Sequence, residues 1–364
     1  MGSHGARVDG PDGGVYAESL FRQDGNDGSP MPDSRATADG AEVVSIIIPT
    51  HNRFESTRRA LASARDQTYA QVEIVVVDDG STDGTVPYLR SLGSELAPGA
   101  MLRTLFQPNR GASAARNRGL DACAGTFVMF LDSDDVLRPG AVERLLAAMR
   151  SRQADVVCGA WRDVHIAEGR VRAGSARSRP EAQDAVAQLL SLDGWSPDFC
   201  YLYRAGALEG VRWDDTLRVG QDMDFNLRVL AGGARLARAD VTVGSYVHHA
   251  GDRVSRGPLA RWVRSGLRIV DRAATALLER GELTDARRAA AAESLWLLGS
   301  SAATRDRGVY ERALRRALEL KPDFAPRRFH HRAAVALLGR AVAGVALDVL
   351  RRIAPPVWAR RRWS

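Results

Sequence analysis

The sequence predicts an α/β architecture, a mostly parallel sheet flanked by helices, with an α-helical C-terminal extension. Three observations predict it. Short apolar, β-branched runs alternate with helical patterns from residue 43 to about 158. Four successive runs end in polar, turn-forming clusters. From Pro258 onward the pattern is helical and rich in Ala, Leu and Arg.

Residues 1–41 are rich in Gly, Asp, Ser and Pro. Such a segment buries too little apolar surface to offset its ordering entropy, so a disordered arm is expected. Nothing there resembles a secretory signal. The first strand is Val43 to Ile48, stopping at Pro49-Thr50-His51-Asn52-Arg53. A helix with Leu61 and Ala64 on one face follows. The second strand, Val72 to Val77, ends in Asp78-Asp79-Gly80-Ser81-Thr82-Asp83. A helix carrying Val86 and Leu89 leads to a third strand, Met101 to Phe106, which ends in Gln107-Pro108-Asn109-Arg110-Gly111. A small-residue helix, Ala112 to Cys123, leads to the fourth strand, Thr126 to Leu131. A helix over 139–150 and the strand Val156-Val157-Cys158 complete the pattern. With right-handed crossovers, the four polar clusters fall on one rim, where ligands bind in such sheets.

The fourth strand runs into Asp132, Ser133, Asp134 and Asp135. Crowded carboxylates at the end of a buried strand repel each other, and a divalent cation offsets that. The competing role is a cap for the helix that Pro139 and Gly140 open. On this stretch alone both roles stand; the shared rim favours the metal.

The chain has 364 residues, 45% of them hydrophobic, enough for one large core or two domains. Its net charge of +7 suits nucleic acid, an anionic membrane face or a phosphorylated substrate. The arginines concentrate in the C-terminal helices without a nucleic-acid reading motif, so nucleic acid is not the expected partner. Cys123, Cys158 and Cys200 have no metal-ligand spacing and suit a reducing compartment, where each serves as a small apolar residue.

Residues 160–257 are less regular. Trp195, Tyr201 and Trp213 there are open to two roles, stacking on sugar rings or filling the core. Gly220-Gln221-Asp222-Met223-Asp224 opens a helix, and Val241 to Val247 is strand-like and runs into His248-His249. Helices are expected at about 258–280, 284–304 and 308–320. Val335 to Leu350 is apolar but interrupted by Arg340 and Asp348, and is followed by Arg351, Arg352, Arg360, Arg361 and Arg362 with Trp358 and Trp363 interleaved. That composition fits a helix lying on an anionic bilayer, or a helix packed on its neighbours with a solvated basic tail. The expected organisation is an arm (1–41), an α/β domain (42–257), a helical appendage (258–331) and a basic amphipathic tail (332–364).

Four pieces of the first 250 or so residues, in this order and spacing, resemble the family 2 glycosyltransferases of the GT-A fold. They are Ser45 to Arg53, Val75 to Asp83, Asn109 to Asn117, and Leu131 to Asp135. The resemblance implies inverting transfer of a sugar from a nucleotide diphosphate donor, expected to be a UDP-sugar, to the hydroxyl of a glycan or lipid-linked acceptor. It implies Mn²⁺ or Mg²⁺, with Asp134 as a metal ligand, Asp132 beside the ribose or the metal, and Asp135 as either a helper or a cap. Asp79 matches the position that hydrogen-bonds the base, and an acceptor-only carboxylate suits an imide N–H. Asp78 is its neighbour, or only shapes the turn. Pro49, Thr50, Asn52 and Arg53 belong to the donor site on the first rim, Asn109, Gly111 and Arg116 on the third, and Ser133 on the fourth. Arg116 reaches either phosphate or the acidic cluster. Asp222 matches the catalytic base, beside Gln221 where the family shows Glu. His249 matches a residue that ligates the metal or touches the diphosphate. The implied setting is cell-surface polysaccharide or glycolipid assembly in the cytoplasm, at the inner face of the membrane. A catalytically idle sugar-nucleotide-binding or scaffold protein is the alternative. A nucleotidyltransferase would need a Gly-rich triphosphate loop after the first strand, and Pro49-Thr50-His51-Asn52 is not one.

Overall fold

The computed structural model describes residues 42–92, 101–167, 170–192, 194–248 and 259–353. The expected arm over 1–41, His249 and the tail beyond Ile353 lie outside the described residues. The chain forms two compact units that are not contiguous in sequence. Of the described residues, the first takes those up to 181, with 196–216 and 232–248; the second takes the rest.

The first unit is a sheet with helices. In chain order it contains β1 (Val44–Thr50), α1 (Phe54–Arg65), β2 (Val72–Asp79), α2 (Thr85–Ser91), β3 (Met101–Gln107), α3 (Ala112–Ala122), β4 (Phe127–Phe130), β5 (Val136–Leu137), α4 (Ala141–Arg152), β6 (Val156–Ala167) and β7 (Arg170–Arg177). The second unit supplies α5 (Ala185–Leu190), the first unit β8 (Tyr201–Arg204), the second α6 (Gln221–Ala231), and the first β9 (Leu236–His248). The strand order is β3-β2-β1-β4-β8-β6-β9-β5, with β7 paired to β6.

β1 pairs in parallel with β2 and β4, and β2 with β3. Ile46, Ile47 and Ile48 are all fully buried, as a strand covered on both faces requires. α3 lies close against β1 because its inner residues are small: a Cβ on Gly119 would stand 2.4 Å from Ile47 Cγ2. Beyond β4 the sheet departs from the expected parallel pattern. β8 runs antiparallel to both β4 and β6, and β6 then runs parallel to β9. The sheet is therefore mixed. A strand of four residues such as β8 is too short to show a period, which is why the sequence conceals the reversal.

The second unit is helical. α5 and α6 pack with α7 (Leu259–Glu279), α8 (Asp285–Ala302), α9 (Arg307–Leu320) and α10 (Phe329–Ile353), close to the expected bounds. Thr284 and Asp306 cap α8 and α9, each accepting from a backbone N–H three residues on. Buried Trp296 donates its indole N–H to His331 Nδ1 at 2.9 Å. No helix among the described residues is long and apolar enough to cross a membrane.

Candidate active site

Strand register places the polar clusters side by side. Thr50 is level with Asp78, Asp79 with Gln107, and Ile47 with Phe130, so Asp132 emerges beside the end of β1.

The acidic cluster follows directly. Asp132, Asp134 and Asp135 each offer a carboxylate oxygen, and these atoms lie within 4.8 Å of one another. Two arginines brace them. Arg53, at the start of α1, donates to Asp134 Oδ2 at 2.5 Å. Arg116, on α3 and 5% exposed, donates to Asp132 Oδ1 at 2.5 Å and pairs with Asp198 Oδ2 at 3.0 Å. Its guanidinium lies over the Trp213 ring, 4.4 Å from the centroid. Of the two roles open to Arg116, this geometry favours anchoring the acidic cluster. Asp135 is buried and accepts from Val247 N at 2.9 Å, tying the cluster to β9. An all-oxygen set this compact has the chemistry of a hard divalent cation site. Ser133 sits buried between the carboxylates.

The second and third rims are knitted together by carboxylates. Asp78 Oδ2 accepts from Gly80 N and Ser81 N, shaping the turn, while Asp78 Oδ1 is buried without a protein hydrogen bond. Asp79 accepts from Gln107 Nε2 at 2.7 Å, Arg110 N at 2.8 Å and Gly111 N at 2.7 Å. Three of the roughly four acceptor positions of a carboxylate are thus taken. Gly111 has φ +93, which a side chain rarely tolerates, so the glycine is needed for the turn itself.

On the first rim, Asn52 has φ 51 and bridges to the second: its N–H donates to Ser81 Oγ, and its Oδ1 accepts from Thr82 N at 2.7 Å. Asn109 Nδ2 lies 3.0 Å from His51 Nε2, with Asn52 Nδ2 on the same ring nitrogen at 3.2 Å. Thr50 is buried against Thr57, and Pro49 lies within β1 beside Val77. The sequence reading missed His51 and Asp198. His51 lay inside a quoted motif beside Asn52, but Asn109 reaches it only through the fold. Asp198 had none, because it reaches Arg116 only through the fold.

Asp222 and Asp224 belong to the second unit. Asp222 opens α6 and accepts from the Trp195 indole N–H, and Trp195 is 40% exposed. Gln221 donates its side-chain amide to Leu217 O at 2.7 Å, a bond a carboxylate cannot make. Asp224 is buried and paired with Arg228 and Arg272. Tyr201 and Trp213 are core residues, each under 3% exposed. Cys158 and Cys200 are buried and free, and burial pushes both thiols up.

Parallel strands carrying a carboxylate cluster beyond their carboxyl ends, extended by a mixed half-sheet, define the chain as a GT-A fold. The glycosyl transferase family 2 profile matches residues 45–211. The pneumococcal glycosyltransferase GlyA (Streptococcus pneumoniae) is 38% identical over 128 residues, 35% of this chain and 18% of that protein. The succinoglycan biosynthesis protein ExoO of Rhizobium meliloti is 29% identical over 236 residues, 61% of this chain and 63% of that protein. The chain thus spans less than two thirds of either relative. The crystal structure of S. aureus TarS 1-349 in complex with UDP-GlcNAc superposes with a TM-score of 0.61 at 18% identity, covering 85% of this chain and 91% of that one.

Proposed function

We propose that the protein transfers a sugar, with inversion, from a UDP-sugar to the hydroxyl of a glycan or lipid-linked acceptor, in cell-surface polysaccharide or glycolipid assembly. The observation that carries the proposal is the Asp132, Asp134 and Asp135 cluster, with oxygens within 4.8 Å of one another on the rim of β1 to β4. UDP-GlcNAc bound to TarS and the succinoglycan role of ExoO favour the donor class and the setting.

Asp132 and Asp134 would hold Mn²⁺ or Mg²⁺, with His249 as a further proposed ligand. Such an ion neutralises charge on a departing diphosphate. The residues do the rest. Arg53 and Arg116 balance the charge of the carboxylates. Asn52, Asp79, Asn109 and Gly111 fix the loops that meet the nucleoside, and Thr50, Asp78 and Ser133 line it. Asp222 takes the proton of the acceptor hydroxyl, held in place by the Trp195 indole. The reaction belongs on the cytoplasmic side of a membrane, with the C-terminal tail as the point of contact. Purified protein with Mn²⁺ should hydrolyse UDP-sugars slowly, and Asp134→Ala should lose that activity at least a hundredfold. Rates no higher than a protein-free blank would leave an idle binding protein as the better description.

A further inference from the structure

α10 is apolar on two faces. Ala343, Gly344 and Leu347 are buried, and the pocket for the helix is tight enough that a Cβ on Gly344 would meet the Tyr310 ring at 2.2 Å. Asp348 is buried too, accepting from Thr304 N and Oγ1. The opposite face, where a surface helix normally carries polar residues, holds Leu338, Val342 and Val349 at 48%, 53% and 40% exposure. Leu337 is 82% exposed and Phe329 78%. These are five of the eight large apolar side chains exposed among the described residues, gathered within one helix. Gly339, at φ 72, breaks the helix between Leu338 and Arg340, so the two leucines stand at a bend, and a Cβ there would touch nothing within 4 Å.

The charge lies in the same stretch. From Phe324 to Ser364 the sequence has nine arginines, no lysine, no glutamate and one aspartate, the buried Asp348. That stretch carries a net +8, whereas the whole chain carries +7. All of the protein's excess positive charge therefore accompanies its most exposed apolar face. Charge alone suits any polyanion; two leucines projecting at a bend suit only a surface with an apolar interior.

We propose that the bend of α10 is a membrane-docking surface: Leu337, Leu338 and Val342 enter the acyl boundary of an anionic bilayer while the flanking arginines meet lipid phosphates. The proposal rests on the membrane-side reading above and assigns it to particular residues. It places α10 at the membrane surface, and no helix among the described residues is long and apolar enough to cross a membrane.

Co-sedimentation of the full chain with phosphatidylglycerol/phosphatidylcholine vesicles, against phosphatidylcholine alone, tests it. The parent should bind the anionic vesicles, and more weakly as salt rises. Leu338→Glu with Val342→Glu should lower that partitioning at least tenfold with UDP-sugar hydrolysis in solution unchanged. A second variant, Arg360→Gln with Arg361→Gln and Arg362→Gln, should flatten the salt dependence without touching the described fold. Equal partitioning of parent and Glu variant overturns the proposal. So does a parent that light scattering finds dimeric and the Glu variant makes monomeric, because a second copy would then cover the face. Vesicle binding without sugar-nucleotide hydrolysis would leave this surface standing and remove the transferase reading; hydrolysis without vesicle binding would do the reverse.

Discussion

Replacing Asp79 by Asn separates two roles for one carboxylate. If Asp79 acts only on the nucleotide base, the ligand-free protein should not notice the change. The geometry says otherwise. One oxygen accepts from Gln107 Nε2 and Arg110 N, the other from Gly111 N, and the residue is 3% exposed. An amide keeps one acceptor oxygen and turns an N–H₂ toward whatever the other oxygen served. At least one charge-assisted bond is lost and one buried backbone N–H is left opposite a donor. Hydrogen bonds to charged groups contribute roughly 1.5–3 kcal/mol, and an unsatisfied buried donor costs a similar amount. The expected loss is about 2–4 kcal/mol in ligand-free urea denaturation, a large fraction of a typical 5–15 kcal/mol. Hydrogen exchange should quicken at Arg110 and Gly111 before it does in β1. A loss under about 0.5 kcal/mol, with unchanged exchange at both amides, would refute the clamp.

Three further outcomes follow from the same structure. Burial raises the Asp163 carboxyl, but hydrogen bonds from His248 and Arg177 outweigh it and bring it from 3.8 to about 2. Its stabilising contribution is therefore fully present above the ordinary value and lost as pH falls through about 2; Asp163→Asn should cost about 1–2 kcal/mol at pH 7 and under about 0.5 kcal/mol at pH 2, read from denaturation midpoints across pH. Gly119→Ala should destabilise by about 1–3 kcal/mol despite the better helix former, because its Cβ meets Ile47 Cγ2 at 2.4 Å; calorimetry showing a raised Tm would contradict this. Trp195→Phe keeps the ring but removes the donor to Asp222, so kcat for acceptor transfer should fall roughly tenfold with donor KM unchanged, whereas a change confined to KM would deny the positioning role.

The first four strands and their rim were legible because each is a β-branched run ended by a local cluster, and register then follows from parallel pairing. Asp132, Asp134, Asn52 and Gly111 are local signals of that kind. The C-terminal helices were legible too: α7 and α9 show an amphipathic period, while α8, buried all round from Ala290 to Trp296, shows in its Ala- and Leu-rich composition. The middle of the chain was not. β5 has two residues and β8 four, and their partners lie far away in sequence. Glu73 reads as an interruption in a strand, yet it is buried, accepting from Ser45 Oγ and Ala124 N and pairing with Arg103. The Arg116–Asp198 pair spans 82 residues, and the assignment of α5 and α6 to the helical unit comes from packing alone. Such contacts carry no local pattern.

The central claim is that the rim of β1 to β4 binds a nucleoside diphosphate through a divalent ion held by Asp132 and Asp134. Calorimetric titration of UDP, with Mn²⁺ or with a chelator, into the parent and Asp134→Ala tests it most directly. The account predicts that chelator weakens binding to the parent at least tenfold and that Asp134→Ala binds equally weakly in both conditions. The same affinity for UDP in all four titrations would contradict it.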